Sequence, residues 1–408
     1  MTASIGSKPR RVLIIVDNLP VPFDRRVWNE ATTLHKAGYQ VSVICPKGVG
    51  ATSSFETLDG IRIYRHPVPI EARGGLGYLL EYSTALFWEA LLSWRVFFTV
   101  GFDVIHACNP PDLIFLVGGF FKYLFGKKFI FDHHDINPEL YEAKFGRRDM
   151  FYWCLKIAER ATYASADISI ATNESYRAIA TGRGKMPPER VFVVRSGPNL
   201  ERMQIQPPDP RLKNGRTYLV GYVGVIGAQE GIQYLLQAAH HIVKTLGRTD
   251  IQFGIVGDGP ELARLMTLAN QIGVAAFVTF TGRVSDGQLL AILNTADVCV
   301  NPDEYNEMND KSTMNKIVEY MALAKPIVQF DLTEGRFSAG GASLYAKRND
   351  AQDLAENILR LINDPELRQK MGSIGRRRVV EELSWMHEGP KLLTAYEAVF
   401  ARSRAILD

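Results

Sequence analysis

The sequence predicts an α/β protein made of two parallel sheets, each covered by helices, and three observations predict it. Short β-branched runs alternate with longer helical patterns along almost the whole chain. Those runs are apolar nearly throughout, as strands buried on both faces are. A proline-rich break then divides them into two similar sets.

The first set comprises "RVLIIV", "QVSVIC", "IRIYR", "DVIHA", "KFIFD", "DISIAT" and "VFVVR"; the second comprises "YLVGYV", "IQFGIV", "FVTFTG", "DVCVNP" and "PIVQFD". At 408 residues the chain exceeds one ordinary core, so two domains are expected. The break "GPNLERMQIQPPDPRLKNGRTY" holds four prolines and several charges. It places an N-terminal domain at 1–200, a linker at 201–217 and a C-terminal domain at 218–385. The tail from Ser384 reads as an amphipathic helix with Leu392, Tyr396 and Phe400 spaced by four, free to pack on either domain.

Composition excludes several classes. Hydrophobic content of 46% and charged content of 22% are those of an ordinary globular protein. Lys+Arg 47 against Asp+Glu 44, with no long basic run, argues against nucleic acid as a partner. Cys45, Cys108, Cys154 and Cys299 are far apart, without the paired spacing of a zinc site or redox dithiol, which fits a reducing cytoplasm. The opening "MTASIGSKPRR" lacks the apolar core of a signal peptide, so export is not expected. No stretch reaches the roughly 18 uncharged apolar residues of a spanning helix. The nearest approach, Tyr78 to Val100, carries Glu81, Glu89 and Arg95; core packing is the simpler account of its aromatic residues, and any exposed part would suit a membrane interface.

Open parallel sheets bind ligands beyond the C-terminal ends of their strands, which directs attention to those loops. After "VGYVG" come Gly224, Gly227 and Gly231, then a helix from about Ile232, where backbone amides can approach an anion. The spacing is not the dinucleotide fingerprint, and glycines there serve equally as plain turn residues. Gly257, Asp258 and Gly259 make a strand-to-helix turn with Pro260 expected at the first helical position. Gly282, Arg283 and Val284 can offer backbone groups to a base edge.

In "NDKSTMNKIVEYMALAKPIVQFD", Ser312 or Thr313 is expected to cap a short helix buried through Ile317, Val318, Met321 and Ala322. Asn315 and Glu319 then share one flank, where a carboxylate can accept from both hydroxyls of a ribose. A plain solvated glutamate paired with Lys316 or Arg336 is the competing reading.

The first half contributes Asp132, His133, His134 and Asp135 at a strand end; strand alternation sends the two histidines to opposite faces, so at most one serves a site. Asp24, Arg25 and Arg26 follow the first strand, and Glu30 can neutralise Arg26 at helical spacing.

Taken in order, "FDRRVWNEATTLHKAGYQVSVICP", "DVIHACNPPD", "FDHHDINPE", "GYVGVIGAQEGIQYLLQAA", "IVGDGP", "FTGRV", "ADVCVNP" and "NKIVEYMALAKPIV" resemble the retaining glycosyltransferases of family four over essentially the whole chain. The resemblance implies the GT-B fold, two Rossmann-like domains with parallel sheets facing an interdomain cleft, and a terminal helix, 386–408, crossing back to the first domain. It implies a UDP- or GDP-linked sugar as donor on the second domain and a glycan or polyprenyl-diphosphate-linked acceptor on the first, with Asn109 on that side together with Asp24, Arg25, Arg26 and His133. No cofactor and no metal are implied. Polysaccharide biosynthesis at the cytoplasmic face of an inner membrane is the expected setting.

By the same resemblance Glu319 matches a ribose-binding glutamate, His134 a histidine beside the donor sugar with Asp135 next to it, and Gly257–Gly259 and Gly282–Val284 nucleotide-contacting loops. Three features depart from the family pattern. Lys311 stands where a first glutamate is usual, Val225 and Glu230 replace an arginine and a lysine that clamp the diphosphate, and Phe23 and Asp24 replace a double glycine. Lys311 and Lys316 are therefore expected to supply the charge that meets the leaving diphosphate. An epimerase of the same architecture, or a binding protein that keeps the fold, are the competing functional readings.

Overall fold

In a computed structural model, residues 9–68 and 75–401 are described, the side chains of 75–81 excepted. The reading of the first eight residues, Glu81 and the last turns of the terminal helix at 402–408 therefore lie outside the described residues. The chain divides into two compact units, one of Met1–Arg195 with Glu388–Asp408 and one of Ser196–His387.

The first unit runs β1 (Arg11–Ile15), α1 (Arg25–Lys36), β2 (Gln40–Pro46), β3 (Phe55–Leu58), β4 (Ile61–His66), α2 (Gly75–Thr99), β5 (Val104–Cys108), α3 (Phe115–Phe125), β6 (Lys128–His133), α4 (Asn137–Phe145), α5 (Met150–Ser165), β7 (Ile168–Ala171), α6 (Glu174–Gly182) and β8 (Val191–Val193). Its sheet order is β3-β4-β2-β1-β5-β6-β7-β8, parallel throughout except where β3 meets β4. Leu13, Ile14, Ile105, Phe129 and Phe131 are wholly buried, which is why these strands read as unbroken apolar runs.

The second unit contains β9 (Tyr218–Val223), α7 (Ile232–His240), β10 (Ile251–Val256), α8 (Leu262–Gln271), β11 (Val278–Phe280), α9 (Asp286–Thr295), β12 (Val298–Asn301), α10 (Glu307–Lys311), α11 (Asn315–Ala322), β13 (Ile327–Phe330), α12 (Thr333–Ala339), β14 (Ser343–Ala346), α13 (Ala351–Asn363), α14 (Pro365–Arg378) and only the start of α15 (Trp385–Ala401). Its sheet is wholly parallel, in the order β11-β10-β9-β12-β13-β14. One apolar cluster packs Phe253, Leu236 and Phe330 on one face, and another packs Ile317, Tyr320 and Met321 around Cys299.

In each sheet the chain order reverses beside the first strand, between β1 and β5 in one and between β9 and β12 in the other. Those switch points open crevices at the strand C-termini, the usual ligand position in this architecture. Two strands had no signature in the sequence. The exposures of β3 alternate on an edge, and β14 is a four-residue edge strand after a Gly-Gly turn.

Most of α15 belongs to the first unit: from Glu388 onward it packs there, and the Tyr396 hydroxyl lies 2.8 Å from His106 Nδ1. The linker proposed at 201–217 forms no regular element beyond a 3-10 turn at Pro210–Lys213 and lies within the second unit.

Candidate functional site

In the second unit the crevice at the β9/β12 switch point is organised by one ammonium. Lys316 Nζ donates to Glu230 Oε2 at 2.6 Å and to Asp303 Oδ1 at 2.8 Å, and sits 4.9 Å above the Tyr222 ring. It is almost wholly buried, because Ile317, Tyr320 and Met321 pull that side of α11 into the core. Burial pushes Asp303 up to about 7 against the pull of Lys316, while Glu230, in spite of its own burial, is held below the usual carboxylate range by Lys316. Lys316 stays charged for the converse reason. The ammonium expected to meet a phosphate is thus already neutralised by two carboxylates.

Lys311 is also engaged: its Nζ lies 2.5 Å from Glu307 one turn back in α10. Neither Ser312 nor Thr313 is the N-cap residue of α11. The N-cap is Met314, which makes no side-chain bond, and the Ser312 hydroxyl donates to the Met308 carbonyl at 2.7 Å. The short α10, which the sequence did not suggest, claims Ser312 for its own end. The first turn of α11, from Asn315, receives no bond from the side chain of its N-cap Met314.

Glu319 lies one turn further on. Burial raises its pKa, opposed by Arg202, whose Nη1 donates to Glu319 Oε1 at 3.1 Å. Arg202 also donates from Nε to Asp286 Oδ2 at 2.7 Å. Neither Lys316 nor Arg336 pairs with Glu319: Lys316 is caged as above, and Arg336 bonds Asp331 at 2.7 Å.

The glycines of the crevice are dictated by packing. Gly257 has φ +137°, and a Cβ there would overlap the Gly224 carbonyl; one at Gly259 would meet the Ile226 carbonyl at 2.5 Å. Gly257 N donates to Gly282 O at 3.0 Å, so the loop holding Arg283 and Val284 is stitched to the β10 loop. Gly227, after β9, lies against the Gln229 side chain. The Asp258 carboxylate accepts from Gly259 N at 2.8 Å. Pro260 falls in the turn rather than at the first helical position, because α8 starts later, at Leu262.

In the first unit Asp132, at the end of β6, is the hub. The Arg26 guanidinium bonds it at 2.9 Å, His106 Nε2 lies at 3.3 Å and His134 Nε2 at 2.6 Å. Although its burial acts the other way, Arg26 and then His134 hold Asp132 well below the usual carboxylate range. Glu30, also 3.2 Å from Arg26, is instead pushed well above that range by burial and by Asp132. Arg26 is thus a buried brace for Asp132.

His133 and His134 do diverge. His133 is wholly buried, bonded to Tyr163 Oη at 2.7 Å and lowered to about 3 by burial and by Arg183, so it packs in the interior and leaves the site to His134. Asn109 Oδ1 accepts from the backbone of His134 at 2.8 Å and of Asp135 at 3.2 Å. Asn18 donates to Asp135 at 3.1 Å, and burial raises that carboxyl. Asp24 caps α1 through Val27 N, with Arg25 opening the helix.

Two sets of metal-capable atoms share Asp132, namely His106 with Cys108 and Glu30 with His134. The guanidinium of Arg26 already occupies Asp132, so the cluster is organised around an arginine's charge. Sequence reasoning passed over Asp303, Arg202, Glu30 as a site group, Asn18 and His106. Asp303 sits directly after β12, a position that could have exposed it; Arg202, within a linker, left no signal.

Comparison with known proteins finds a family match in each unit. The family description "Glycosyltransferase Family 4" matches residues 24–202 and "Glycosyl transferases group 1" matches 217–364. The alpha-D-kanosaminyltransferase of Streptomyces kanamyceticus is 28% identical over 183 residues, which is 44% of this chain and 46% of that protein. The match thus spans about half the length of that relative. Among solved structures, the sucrose-phosphate synthase of Thermosynechococcus elongatus superposes with a TM-score of 0.79 at 21% identity, covering 96% of this chain and all of that one. The Anabaena HepE protein in complex with UDP-glucose does so with a TM-score of 0.72 at 15% identity, covering 95% and 99%. With its two GT-B sheets each falling under one of these family descriptions, the chain belongs to the family-four glycosyltransferases.

Proposed function

We propose that the protein is a retaining hexosyltransferase that moves a sugar from a UDP- or GDP-linked donor to a glycan or polyprenyl-diphosphate-linked acceptor in polysaccharide assembly. The observation that carries the reading is Glu319, one turn inside α11 at the β9/β12 switch point, with its carboxylate held by Arg202. A ribose diol donates to that carboxylate, and the diphosphate then falls toward the first turn of α11 and the Gly224–Gly227 loop. UDP-glucose in the structurally similar HepE protein supports a nucleotide-sugar donor.

Lys316 acts behind these groups. Its cage fixes the β9 loop to the β12 loop, so that backbone amides, already oriented, meet the charge that grows on the departing diphosphate. In the first unit Asp132 orients His134 beside Asp135 and the acceptor-side Asn109.

Helices α2, α3 and α5 point to a membrane-associated acceptor. Phe87, Leu91 and Phe98 on α2, Leu116, Tyr123 and Leu124 on α3, and Met150, Trp153 and Ile157 on α5 are exposed. Among the described residues the only acids on these helices, Glu89 and Glu159, are fully buried, whereas Arg95 and Arg160 face outward. Apolar groups framed by cations suit an anionic lipid surface. No described helix is long and apolar enough to cross a membrane.

The test incubates the protein with UDP- and GDP-hexoses and a polyprenyl-diphosphate glycan, following nucleotide release and the anomeric configuration of the product by NMR. Acceptor-dependent release with retained configuration is expected; inverted product, or sugar changed without acceptor, would overturn the reading.

A further inference from the structure

A cavity of about 160 Å³ lies wholly within the first unit, away from the ionic cluster on Asp132. Its wall is built from Leu113 after β5, Leu140 and Phe145 of α4, and Phe151, Cys154 and Leu155 of α5. An apolar hollow of roughly 150 Å³ stays dry and takes up a molecule the size of benzene. This one therefore has room for a segment of about that size, and not for a whole lipid.

Two features indicate where such a segment would come from. Phe151 and Cys154 line the cavity and are also exposed on α5, so it opens on the face that carries Met150, Trp153 and Ile157. Lys144 also lines it, and the segment Glu142–Asp149 carries Lys144, Arg147 and Arg148 against Glu142 and Asp149, an excess of one positive charge. A hydrocarbon chain bearing an anionic head fits both features.

The cavity is also connected to the acceptor residues. Asp112 lines it, fully buried, with Oδ1 accepting from Asn109 Nδ2 at 2.7 Å and Oδ2 without a partner. Asn109 in turn holds the backbone of His134 and Asp135. A chain seated here lies one residue's hydrogen bonds away from the strand-end cluster.

We infer that this cavity is a binding site for a hydrocarbon segment of a phosphate-bearing lipid, entered from the exposed face of α5. The inference deepens the reading of a lipid-linked acceptor and rests on it for its biological meaning, but occupancy is measurable without turnover.

Cys154 supplies the probe, being the exposed thiol while Cys45, Cys108 and Cys299 are buried. Maleimide labelling of Cys154 in the full-length protein, with no donor present, should slow at least fivefold in farnesyl phosphate below its micellar concentration. Inorganic phosphate should give no protection, and Ala158→Phe, which fills the cavity, should abolish it. Leu155→Trp serves the same purpose if Ala158→Phe does not fold. Unchanged labelling with farnesyl phosphate overturns the site, and so does equal protection by inorganic phosphate, which would mean a head-group contact alone. Protection without sugar transfer to any lipid acceptor would leave the site standing and remove the lipid-linked acceptor from the proposed function instead.

Discussion

Glu230 Oε2 accepts from Lys316 Nζ at 2.6 Å, so the lysine expected to meet a diphosphate is bonded to an acid of the β9 loop. With Asp303 also accepting from Nζ at 2.8 Å, this ammonium is not left free for a ligand. It follows that Lys316 acts by holding two loops together. Lys316→Ala leaves Glu230 and Asp303 buried without their counter-charge and should destabilise the second unit by about 3–5 kcal/mol. Chemical denaturation measures this, and Lys316→Met combined with Glu230→Gln should recover most of the loss. A single variant that melts like the wild type would show the cage to be dispensable.

Arg202 and Glu319 make a separable pair. Glu319→Ala should raise the donor dissociation constant at least tenfold in calorimetry, since the ribose hydroxyls lose their acceptor. Arg202→Ala should change stability by no more than about 1 kcal/mol, the scale for a partly exposed pair. It should alter donor KM more than kcat, and Arg202→Lys should restore only part of it, because the guanidinium bridges Glu319 and Asp286 together.

Asp132 and His134 should respond differently to substitution. Asp132→Asn strands the buried Arg26 guanidinium, and the first unit should lose about 3–5 kcal/mol. His134, at the edge of the cluster, should tolerate alanine structurally while kcat falls by 10-fold or more. Circular dichroism melting beside steady-state rates separates the two.

Asp112 gives a pH dependence of definite sign. Burial pushes this carboxyl up to about 8 from its ordinary 3.8, helped by Glu159. The folded chain therefore keeps a proton that the unfolded chain releases. The resulting stabilisation is complete below pH 3.8 and is lost as pH rises toward 8. Asp112→Asn should flatten the fall in melting temperature across that interval; a parallel curve for wild type and variant would refute the assignment.

The exposed face of α5 should govern lipid binding. Trp153→Ser with Ile157→Ser should abolish co-flotation with vesicles containing anionic phospholipid and leave transfer to a soluble acceptor analogue intact. Binding of the wild type should weaken as salt rises, since the cations around that face are screened.

Sequence periodicity was enough for the strands that both faces bury, because continuous apolar runs have no other soluble explanation. It was silent on β3 and β14, edge strands whose half-exposed residues resemble loops. The placement of His134 and Asn109 just past strand ends, and of Glu319 one turn inside a short helix, was legible in local motifs. Asp303 and Arg202 were not, since nothing along the chain brings them to Lys316 or Glu319.

What the sequence by itself determined is the two-sheet α/β architecture, the family and the strand-end residues, all carried by local pattern and order along the chain. Only the tertiary structure decided which charges meet. A lysine reads the same in one dimension whether it awaits a phosphate or is closed between two acids. Pairing over 86 residues, as between Glu230 and Lys316, depends on the reversal of strand order that brings β9 beside β12.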